Sequence, residues 1–158
     1  MGSQDSSLLL TERLFLIPLR TDALQGLIDR TADPELADAY RDMQNGCTAH
    51  PDQWLWYTAW GIYQNDSGDW VGDLCFKGLP ENGHPEIGYG IEPEFWNQGY
   101  TTEAVRAACR WALQQPGVSA IEAETDPGNA ASQAVLRKVG FVPTGILGKE
   151  GPRFIWKG

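Results

Sequence analysis

Two short turns in this chain each place a glycine next to the start of a predicted helix, an arrangement that can hold an anion. The first turn is Trp96–Thr102 (W-N-Q-G-Y-T-T) and the second is Asp126–Ser132 (D-P-G-N-A-A-S). A helix start leaves about four backbone N–H groups unpaired and carries roughly half a positive charge. A phosphate group is therefore stabilised there. Gly99 has no Cβ at the point where such a ligand would come closest to the backbone.

The elements that position these turns alternate between strand and helix. The pattern predicts a strand at Ile87–Pro93, a helix from Gly99 to about Leu113, and a strand at Ala120–Thr125. Asn129 then suits the N-cap of another helix, which runs to about Lys138. Ser132, three residues after Asn129, is expected to face the same helix end as the cap.

These turns and their surroundings resemble the GNAT superfamily of acetyl-CoA-dependent N-acetyltransferases. The family's pyrophosphate signature is Q/R-x-x-G-x-G/A, and this chain has Trp96-x-x-Gly99-x-Thr101, which departs from it at two of three positions. The flanking segments restore the similarity. Ile87–Pro93 is similar to the family's fourth strand, and Thr102–Val105 is similar to its signature helix. Asn129–Phe141 resembles its second conserved block.

One branch of the superfamily is particularly similar, the branch that acetylates protein N-termini, including those of ribosomal proteins, and small amines. A tryptophan commonly replaces the first signature residue there, as Trp96 does here. Thr11–Leu14 (T-E-R-L) also resembles that branch. The resemblance implies that Trp96 packs beside the cofactor instead of binding its phosphates. Thr101, in place of glycine or alanine, narrows the space for the phosphates because its side chain is branched.

The resemblance implies a mixed α/β (α+β) fold. Its central twisted sheet would be splayed between the fourth and fifth strands, with about four helices. We expect one acetyltransferase domain over residues 10–158 and a disordered leader over residues 1–9. The pattern of residues alone gives only a mixed α/β class.

The remaining elements follow from local signals. Arg13–Pro18 is predicted to be the first strand, and Asp22 to cap a short helix. A second helix is expected to start near Pro34 and to stop by Gly46. Asn65–Asp69 (N-D-S-G-D) predicts a hairpin turn. It is followed by a strand over Trp70–Phe76. Phe141–Pro143 and Arg153–Trp156 are predicted to close the sheet.

By this resemblance, the pyrophosphate of acetyl-CoA binds backbone N–H groups of the first turn. The pantetheine arm, which resembles a peptide, pairs with the edge of the fourth strand, and one N–H at or near Ile91 polarises the thioester carbonyl. Such a donor is worth roughly 3–4 kcal/mol. The predicted cofactor-binding residues are Ile91, Glu92, Gln98, Gly99, Tyr100, Thr101, Thr102 and Asn129.

The predicted catalytic residues are Ser132 and Glu150. Many family members protonate the leaving thiolate with a tyrosine four residues before the glycine of a Gly-Phe pair, but this chain has Leu136 there. We predict Ser132 as the substitute acid, with an ordinary helix first-turn serine as the alternative. Glu150 is the preferred base, because the N-terminal-acetylating branch is thought to use a carboxylate from this region. The other candidates are Glu86, Glu92, Glu124 and Asp126. For each candidate, Glu150 included, a solvated surface acid is the favoured alternative.

The ionisation of the acceptor decides how much a base must do. At pH 7, deprotonation of an amine with the pKa of lysine, about 10.4, costs roughly 5 kcal/mol. An α-amine with a pKa of about 7.8 costs only about 1 kcal/mol. An N-terminal acceptor could therefore react through a water chain to a carboxylate.

Composition limits the partners. The net charge is −9, which argues against a nucleic acid, because a phosphate backbone favours clustered lysine and arginine. It favours a cationic substrate only weakly. No run of about 18 apolar residues exists, so we expect no membrane association. Cys47, Cys75 and Cys109 show no metal-ligand spacing, so no metal is expected, and they suit a reducing cytoplasm. Both a monomer and a homodimer remain open.

Trp54, Trp56, Tyr57 and Trp60 lie close together where the family's substrate-facing elements fall. They could form an aromatic wall for an amine, but core packing is the expected role of at least two. His50 and His84 are expected in loops and in no catalytic role.

Two functions follow from these observations. The first is a cytoplasmic acetyltransferase that transfers the acetyl group of acetyl-CoA to a primary amine by direct attack in a ternary complex. The acceptor would be a protein N-terminus or a small cationic amine. The alternative is a CoA-binding sensor or interaction module that has lost its chemistry. The altered signature and the missing tyrosine support that alternative, but the same branch carries such changes in active enzymes, so the enzyme is the preferred prediction.

Overall fold

Two antiparallel sheets make up the framework of the computed structural model, which describes residues 8–158. Residues 1–7, most of the predicted leader, lie outside the described residues. The larger sheet has five strands in sequence order. They are β1 (Leu9–Leu10), β2 (Leu14–Pro18), β3 (Ala59–Gln64), β4 (Trp70–Phe76) and β5 (Ile87–Ile91). Leu9, which the leader prediction included, pairs with Leu16 of β2.

The smaller sheet has three strands, in the order β6 (Ile121–Glu124), β8 (Pro152–Trp156) and β7 (Val142–Leu147). A single parallel bridge between Glu86 and Glu122 connects the two sheets. Beyond it, β5 and β6 diverge without ladder pairing. The predicted mixed fold with a splayed sheet is therefore confirmed. The opening lies between β5 and β6 because the short β1 precedes the strand that was predicted to be first.

Four α-helices of the described chain cover the two sheets. They are α1 (Thr21–Arg30), α2 (Pro34–Ala49), α3 (Tyr100–Leu113) and α4 (Ala130–Val139). Short 3-10 segments occur at Pro51–Trp56 and Pro93–Phe95. No helix among residues 8–158 is long and apolar enough to cross a membrane.

Two helix boundaries differ from the sequence prediction. Asp22 does not cap α1, because that helix begins at Thr21 and Asp22 lies in its first turn. The second helix was predicted to stop by Gly46 but continues to Ala49. A Cβ on Gly46 would lie 2.8 Å from the ring of Tyr57. Here glycine permits close packing inside a helix instead of ending it.

Both faces of the larger sheet are buried. The aromatic cluster, Trp54, Trp56, Tyr57 and Trp60, contributes to the packing on each face. Trp56 and Trp60 are buried with α3 residues in the main core, where both rings pack against Trp111. Trp54 and Tyr57 are half-buried beside α1 and α2. Core packing is thus the role of two members, as expected. The ring of Trp54 is covered by the guanidinium of Arg20 at 4.4 Å, so it is not a free wall for an amine.

Arg153 joins the two sheets where they meet. Its guanidinium contacts Glu86 of the larger sheet at 3.2 Å and Glu122 of the smaller sheet at 3.0 Å, and it also pairs with Glu124. All four side chains are largely buried, with at most 22% of each exposed. Burial raises the pKa of Glu122, but hydrogen bonds from Arg153 and His84 outweigh it and hold the pKa below its usual value. One cation is therefore shared by three carboxylates at the closed end of the splay.

Replacement of this cation gives the first prediction. We expect Arg153→Met to lower the free energy of unfolding by about 3 kcal/mol at neutral pH, because it removes the cation shared by three largely buried carboxylates. Among the described residues, Glu124 is then left without a basic partner, and Glu86 and Glu122 keep only Lys77 and His84. The pKa values of Glu122 and Glu124 lie below the usual 4.5 in the folded protein. Their stabilisation is therefore present above pH 4.5 and is lost as the pH falls through the folded-state values. The gap between variant and wild type should shrink on acidification.

The measurement is denaturant unfolding from neutral to acid pH. The matched control is Arg41→Met, because Arg41 pairs with Asp38 at the surface, where both side chains are more than half exposed. We expect that control to change stability by less than about 0.5 kcal/mol. Equal losses in the two variants, or a gap that does not depend on pH, would contradict the role given to Arg153.

Candidate functional site

The free edge of β5 faces the opening between the sheets. The N–H of Glu92 donates to the carbonyl of Val71 on β4 at 2.9 Å. Alternate residues of an antiparallel strand bond to the same neighbour, so the amides of Tyr89 and Ile91 point to the other side, toward β6. The N–H of Ile91 therefore faces the opening, and the N–H of Glu92 is used within the sheet.

The start of α3 lies beyond the end of β5. Gly99 is the N-cap, its φ is 82°, and no side chain of the described residues caps the helix. Asn97, two residues earlier, also has a positive φ of 62°. A left-handed residue on either side of Gln98 turns the chain sharply into the helix. The predicted amides of Tyr100, Thr101 and Thr102 are the uncapped donors of this first turn.

The side chains of two predicted residues serve the fold. The hydroxyl of Tyr100 accepts a hydrogen bond from Gln64 at 3.0 Å, and its ring lies 4.3 Å beneath the guanidinium of Arg13. Gln98 donates from its amide to the carbonyl of Glu94. Their backbone amides, not their side chains, are available to a ligand.

The segment Thr11–Leu14 holds the first turn of α3 in place. The carboxylate of Glu103 accepts hydrogen bonds from the Thr11 hydroxyl, the Arg13 backbone N–H and the Arg13 guanidinium. Arg13 also donates to the carbonyl of Gln98 at 2.9 Å. Burial raises the pKa of Glu103, and these bonds outweigh it and lower the pKa overall. The T-E-R-L motif is therefore a support for the glycine turn.

Trp96 closes the end of β5. Its indole N–H donates to the carbonyl of Ile91 at 2.7 Å, and 57% of its side chain is exposed. The bond holds the ring beside the strand edge, and its packing beside a cofactor stays a prediction.

The second turn places a hydroxyl at the opening. The side chain of Asn129 accepts from the N–H of Ser132 at 3.0 Å, which confirms its predicted capping role. The Ser132 hydroxyl lies 2.8 Å from the hydroxyl of Tyr89 on β5. Ser132 thus directs its side chain across the splay to a phenol. Leu136 is fully buried in the core, one turn further along α4.

Tyr89 is the site residue that the sequence analysis did not identify. Burial raises its pKa, and the hydrogen bond with Ser132 lowers it by less. The phenol therefore stays protonated at neutral pH and can donate to Ser132. Its only sequence signal was a tyrosine two residues before Ile91, in the strand predicted to border the opening.

Two of the candidate bases are held by the Arg153 network. Glu86 also pairs with Lys77 at 2.8 Å, and Glu124 accepts the backbone N–H of Glu150. Asp126 accepts the N–H of Gly128 within its own turn. These bonds occupy oxygens of all three carboxylates, and those to Glu124 hold its pKa below the usual value.

Glu150 lies in the turn between β7 and β8 and is exposed. A Cβ on the next residue, Gly151, would meet the carbonyl of Thr125 at 2.1 Å. The turn therefore packs against the end of β6, on the wall of the opening. Glu92, the remaining candidate, is exposed at the end of β5.

Thr125 carries an unusual buried group. Its hydroxyl is sealed from solvent and has no hydrogen-bond partner among the described residues. It immediately follows β6, at the open end of the splay. An unpaired buried hydroxyl costs about 1–3 kcal/mol, which a bound polar group could recover.

A cavity of about 820 Å³ lies beside α3. It reaches Gly99 and Thr102 at the start of the helix, and Arg106, Arg110 and Lys138 also line it. In a chain with a net charge of −9 this basic lining favours an anionic ligand. Within residues 8–158, no group of three His, Cys, Asp or Glu side chains is placed to share a metal ion.

A sheet divided between two parallel strands, with two helix starts at the open end, is the acyltransferase architecture expected from the sequence. The family model described as "Acetyltransferase (GNAT) domain" matches residues 13–142. The chain therefore belongs to the GNAT acetyltransferase family.

Similar proteins agree with this assignment. The uncharacterized N-acetyltransferase YoaA of Bacillus subtilis is 34% identical over 89 residues, which cover 56% of this chain and 50% of YoaA. RimL, a ribosomal alpha-N-protein acetyltransferase solved with coenzyme A, has a TM-score of 0.75 at 15% identity and 95% and 97% coverage. SpeG, a spermidine N-acetyltransferase of Vibrio cholerae, has a TM-score of 0.72 at 13% identity and 92% and 94% coverage.

The two kinds of similarity differ in what they establish. The chain spans about half the length of the sequence relatives that it matches, 50% of YoaA and 52% of a second Bacillus subtilis protein, YjdG. The structural similarities are at low identity and establish the fold.

The buried hydroxyl gives the second prediction. We expect Thr125→Val to raise the free energy of unfolding of the unliganded protein by about 1 kcal/mol, because it removes an unsatisfied polar group without a change of shape. Denaturant unfolding measures this change. Thr48→Val is the control, because the Thr48 hydroxyl is bonded to the carbonyl of Gln44 on an exposed helix face. A destabilised Thr125→Val protein would show that the hydroxyl is satisfied.

Proposed function

We propose that this protein transfers the acetyl group of acetyl-CoA to a primary amine by direct attack in a ternary complex. The observation that carries the proposal is the pairing of Ser132 and Tyr89 across the open end of the splay, beside the uncapped start of α3. A hydroxyl, a strand edge and an anion-binding helix start converge there. The acceptor is a protein N-terminus or a small cationic amine, and the site of action is the cytoplasm.

The residues present fit a CoA thioester. The uncapped amides from Gly99 to Thr102 suit its pyrophosphate, because a helix start favours negative charge. The free amides of Tyr89 and Ile91 suit its peptide-like arm, and Asn129 keeps its side-chain NH₂ group to donate. When bound, acetyl-CoA supplies an activated acyl carbon and a thiolate leaving group.

Ser132 and Tyr89 protonate the leaving group in this proposal. As the amine nitrogen bonds to the acyl carbon, the carbon–sulfur bond breaks and the sulfur needs a proton. Ser132 donates its hydroxyl proton to the sulfur and takes one from Tyr89, and the phenol regains its proton from solvent, so both hydroxyls end the step protonated. A thiol pKa near 8.5 makes the thiolate a fair leaving group, so the expected contribution of the pair is modest, about tenfold to a hundredfold.

An N–H at the β5 edge stabilises the developing oxyanion. Ile91 is the residue that we propose for this role, because its N–H faces the opening and its carbonyl is fixed by the Trp96 indole. A preorganised donor of this kind is worth roughly 3–4 kcal/mol.

Glu150 accepts the amine proton, directly or through water. Its turn packs on the end of β6, and its carboxylate is exposed and within reach of solvent. An α-amine places only a small demand on such a base, about 1 kcal/mol at neutral pH.

Cofactor binding is tested by calorimetric titration of acetyl-CoA, with dephosphorylated nucleotides as ligand controls. We expect stoichiometric micromolar binding to the wild type and at least tenfold weaker binding to Gly99→Ala. A Cβ on Gly99 strains a backbone with φ 82°, and we propose that the ligand comes closest to the chain at this residue.

Gly68→Ala is the matched control for that variant. Gly68 has φ 76° in the β3–β4 hairpin, with open space around it. Both substitutions should cost about 1 kcal/mol of stability, but only Gly99→Ala should lose affinity. Absence of binding at millimolar acetyl-CoA would reject the proposal.

The acid is tested by steady-state kinetics. We expect Ser132→Ala to lower kcat about tenfold or more with the Kd for acetyl-CoA nearly unchanged, and Tyr89→Phe to lower kcat less. The double variant should resemble Ser132→Ala alone, because the two hydroxyls act as one unit. Ser67→Ala, in the exposed hairpin, is the control. Tight acetyl-CoA binding without transfer to any amine would favour the sensor function instead.

A further inference from the structure

Asp73 is a carboxylate in the middle of the larger sheet. It lies on β4, opposite Gly61 of β3 and Gly90 of β5. Partners directly opposite each other point to the same face, so the side chain of Asp73 stands between two residues that have none. This is the face covered by α1 and α2, because Ala59 and Trp70 of the same sheet pack there.

The carboxylate is only partly satisfied. The Tyr40 hydroxyl of α2 donates to Oδ2 at 2.6 Å. No basic side chain of residues 8–158 forms an ion pair with Asp73. The other oxygen, Oδ1, has no side-chain partner among the described residues and is not sealed from solvent. Burial raises the pKa of Asp73, the Tyr40 bond lowers it by less, and Glu92 adds to the increase.

The floor beside this carboxylate is open. On β5 the residues of the same face are Gly88 and Gly90. A Cβ at Gly90 would meet no atom within 4 Å, and one at Gly88 would meet only Lys77 and Cys75 at ordinary contact distances of 3.6 and 3.8 Å. Neighbouring strands are about 4.8 Å apart, so this floor separates Asp73 by one strand from the β5 edge where the thioester is proposed to lie.

The charges around the floor favour a cation. Glu92 lies on the same face of β5, two residues after Gly90, and is exposed. Lys77 is paired with Glu86 at 2.8 Å and so adds no free positive charge. A half-buried carboxylate with one hydroxyl partner and no cation is stabilised by a ligand that brings the cation.

We infer that Asp73, oriented by Tyr40, binds the ammonium group of the acceptor over the Gly88–Gly90 floor and so selects cationic amines. This inference rests on the proposed function. Asp73 is a binding residue in it, and Tyr40 is a positioning residue that holds the carboxylate through one oxygen. The ligand chemistry is an alkylammonium group, carried by a small amine or by a peptide N-terminus.

The test measures binding separately from turnover. n-Butylamine and its neutral analogue n-butanol are titrated by calorimetry into the protein saturated with CoA. A short peptide with a free N-terminus and the same peptide with a formylated N-terminus form the second arm. We expect Asp73→Asn to weaken binding of the cationic probe at least tenfold and to leave the neutral probe unchanged. The arm with the stronger effect identifies the source of the ammonium group.

Two variants separate the charge from the fold. Asp73→Asn keeps an acceptor for the Tyr40 hydroxyl, so the unfolding midpoint should stay close to that of the wild type. Tyr40→Phe keeps the charge but frees the carboxylate, and it should weaken cation binding less than Asp73→Asn. Asp69→Asn, which removes the same charge from the exposed hairpin, should change neither probe's binding.

Equal binding of the cationic probe by wild type and Asp73→Asn would overturn the inference and leave the proposed acetyl transfer intact. Loss of cation discrimination in Asp73→Asn supports the inference even if the wild type acetylates no tested amine. In transfer assays the same variant should raise KM for the amine, with Kd for acetyl-CoA unchanged.

Discussion

The rest of the structure depends on the ion pairs that the guanidinium of Arg153 makes with three carboxylates. It draws Glu86 of one sheet and Glu122 and Glu124 of the other to a single cation, at the point where β5 and β6 meet. Two parallel strands tied at one end must either pair along their length or separate. Here they separate, and each leaves a backbone edge facing the gap. The network therefore fixes the closed end of the opening and, with it, the position of everything at the open end.

The opening has different chemistry on its two sides. The starts of α3 and α4 bring free amides, Ser132 and a basic cavity to one side, where an anionic ligand is favoured. The face under α1 and α2 carries Asp73 and a floor without side chains, where a cation is favoured. Two ligands of opposite charge can thus approach the same strand edge from different directions, which is the geometry that a direct transfer between them requires.

The sequence predicted what depends on nearby residues. The start of α3 at Gly99, the hairpin at Asn65–Asp69 and the Asn129 cap are set by local backbone chemistry, and each was found where expected. The order of strands and helices followed from the family resemblance. The length of α2 was missed because Gly46 serves a contact with Tyr57, eleven residues away in the chain, which no helix-stop signal records.

The side-chain partnerships were beyond prediction. Tyr89 meets Ser132 across 43 residues, and Tyr40 meets Asp73 across 33. Such pairs depend on how two elements pack against each other, and the sequence pattern of either element alone does not predict that packing. Among the predicted bases, the sequence could not distinguish the carboxylates that form ion pairs with Arg153 from the exposed carboxylate of Glu150. Glu92 lies at the end of β5, but the register of β5 against β4 commits its backbone N–H to the carbonyl of Val71.

The contact between Tyr89 and Ser132 also bears on how relatives of this protein are judged. Position 136 holds a leucine that is fully buried in the core, so a residue-by-residue check for the usual helix tyrosine would mark the site as defective. A phenol is nonetheless present at the opening, on strand β5, where the Tyr89 hydroxyl lies 2.8 Å from that of Ser132. Absence of a motif residue is then weak grounds for declaring a member of such a family inert.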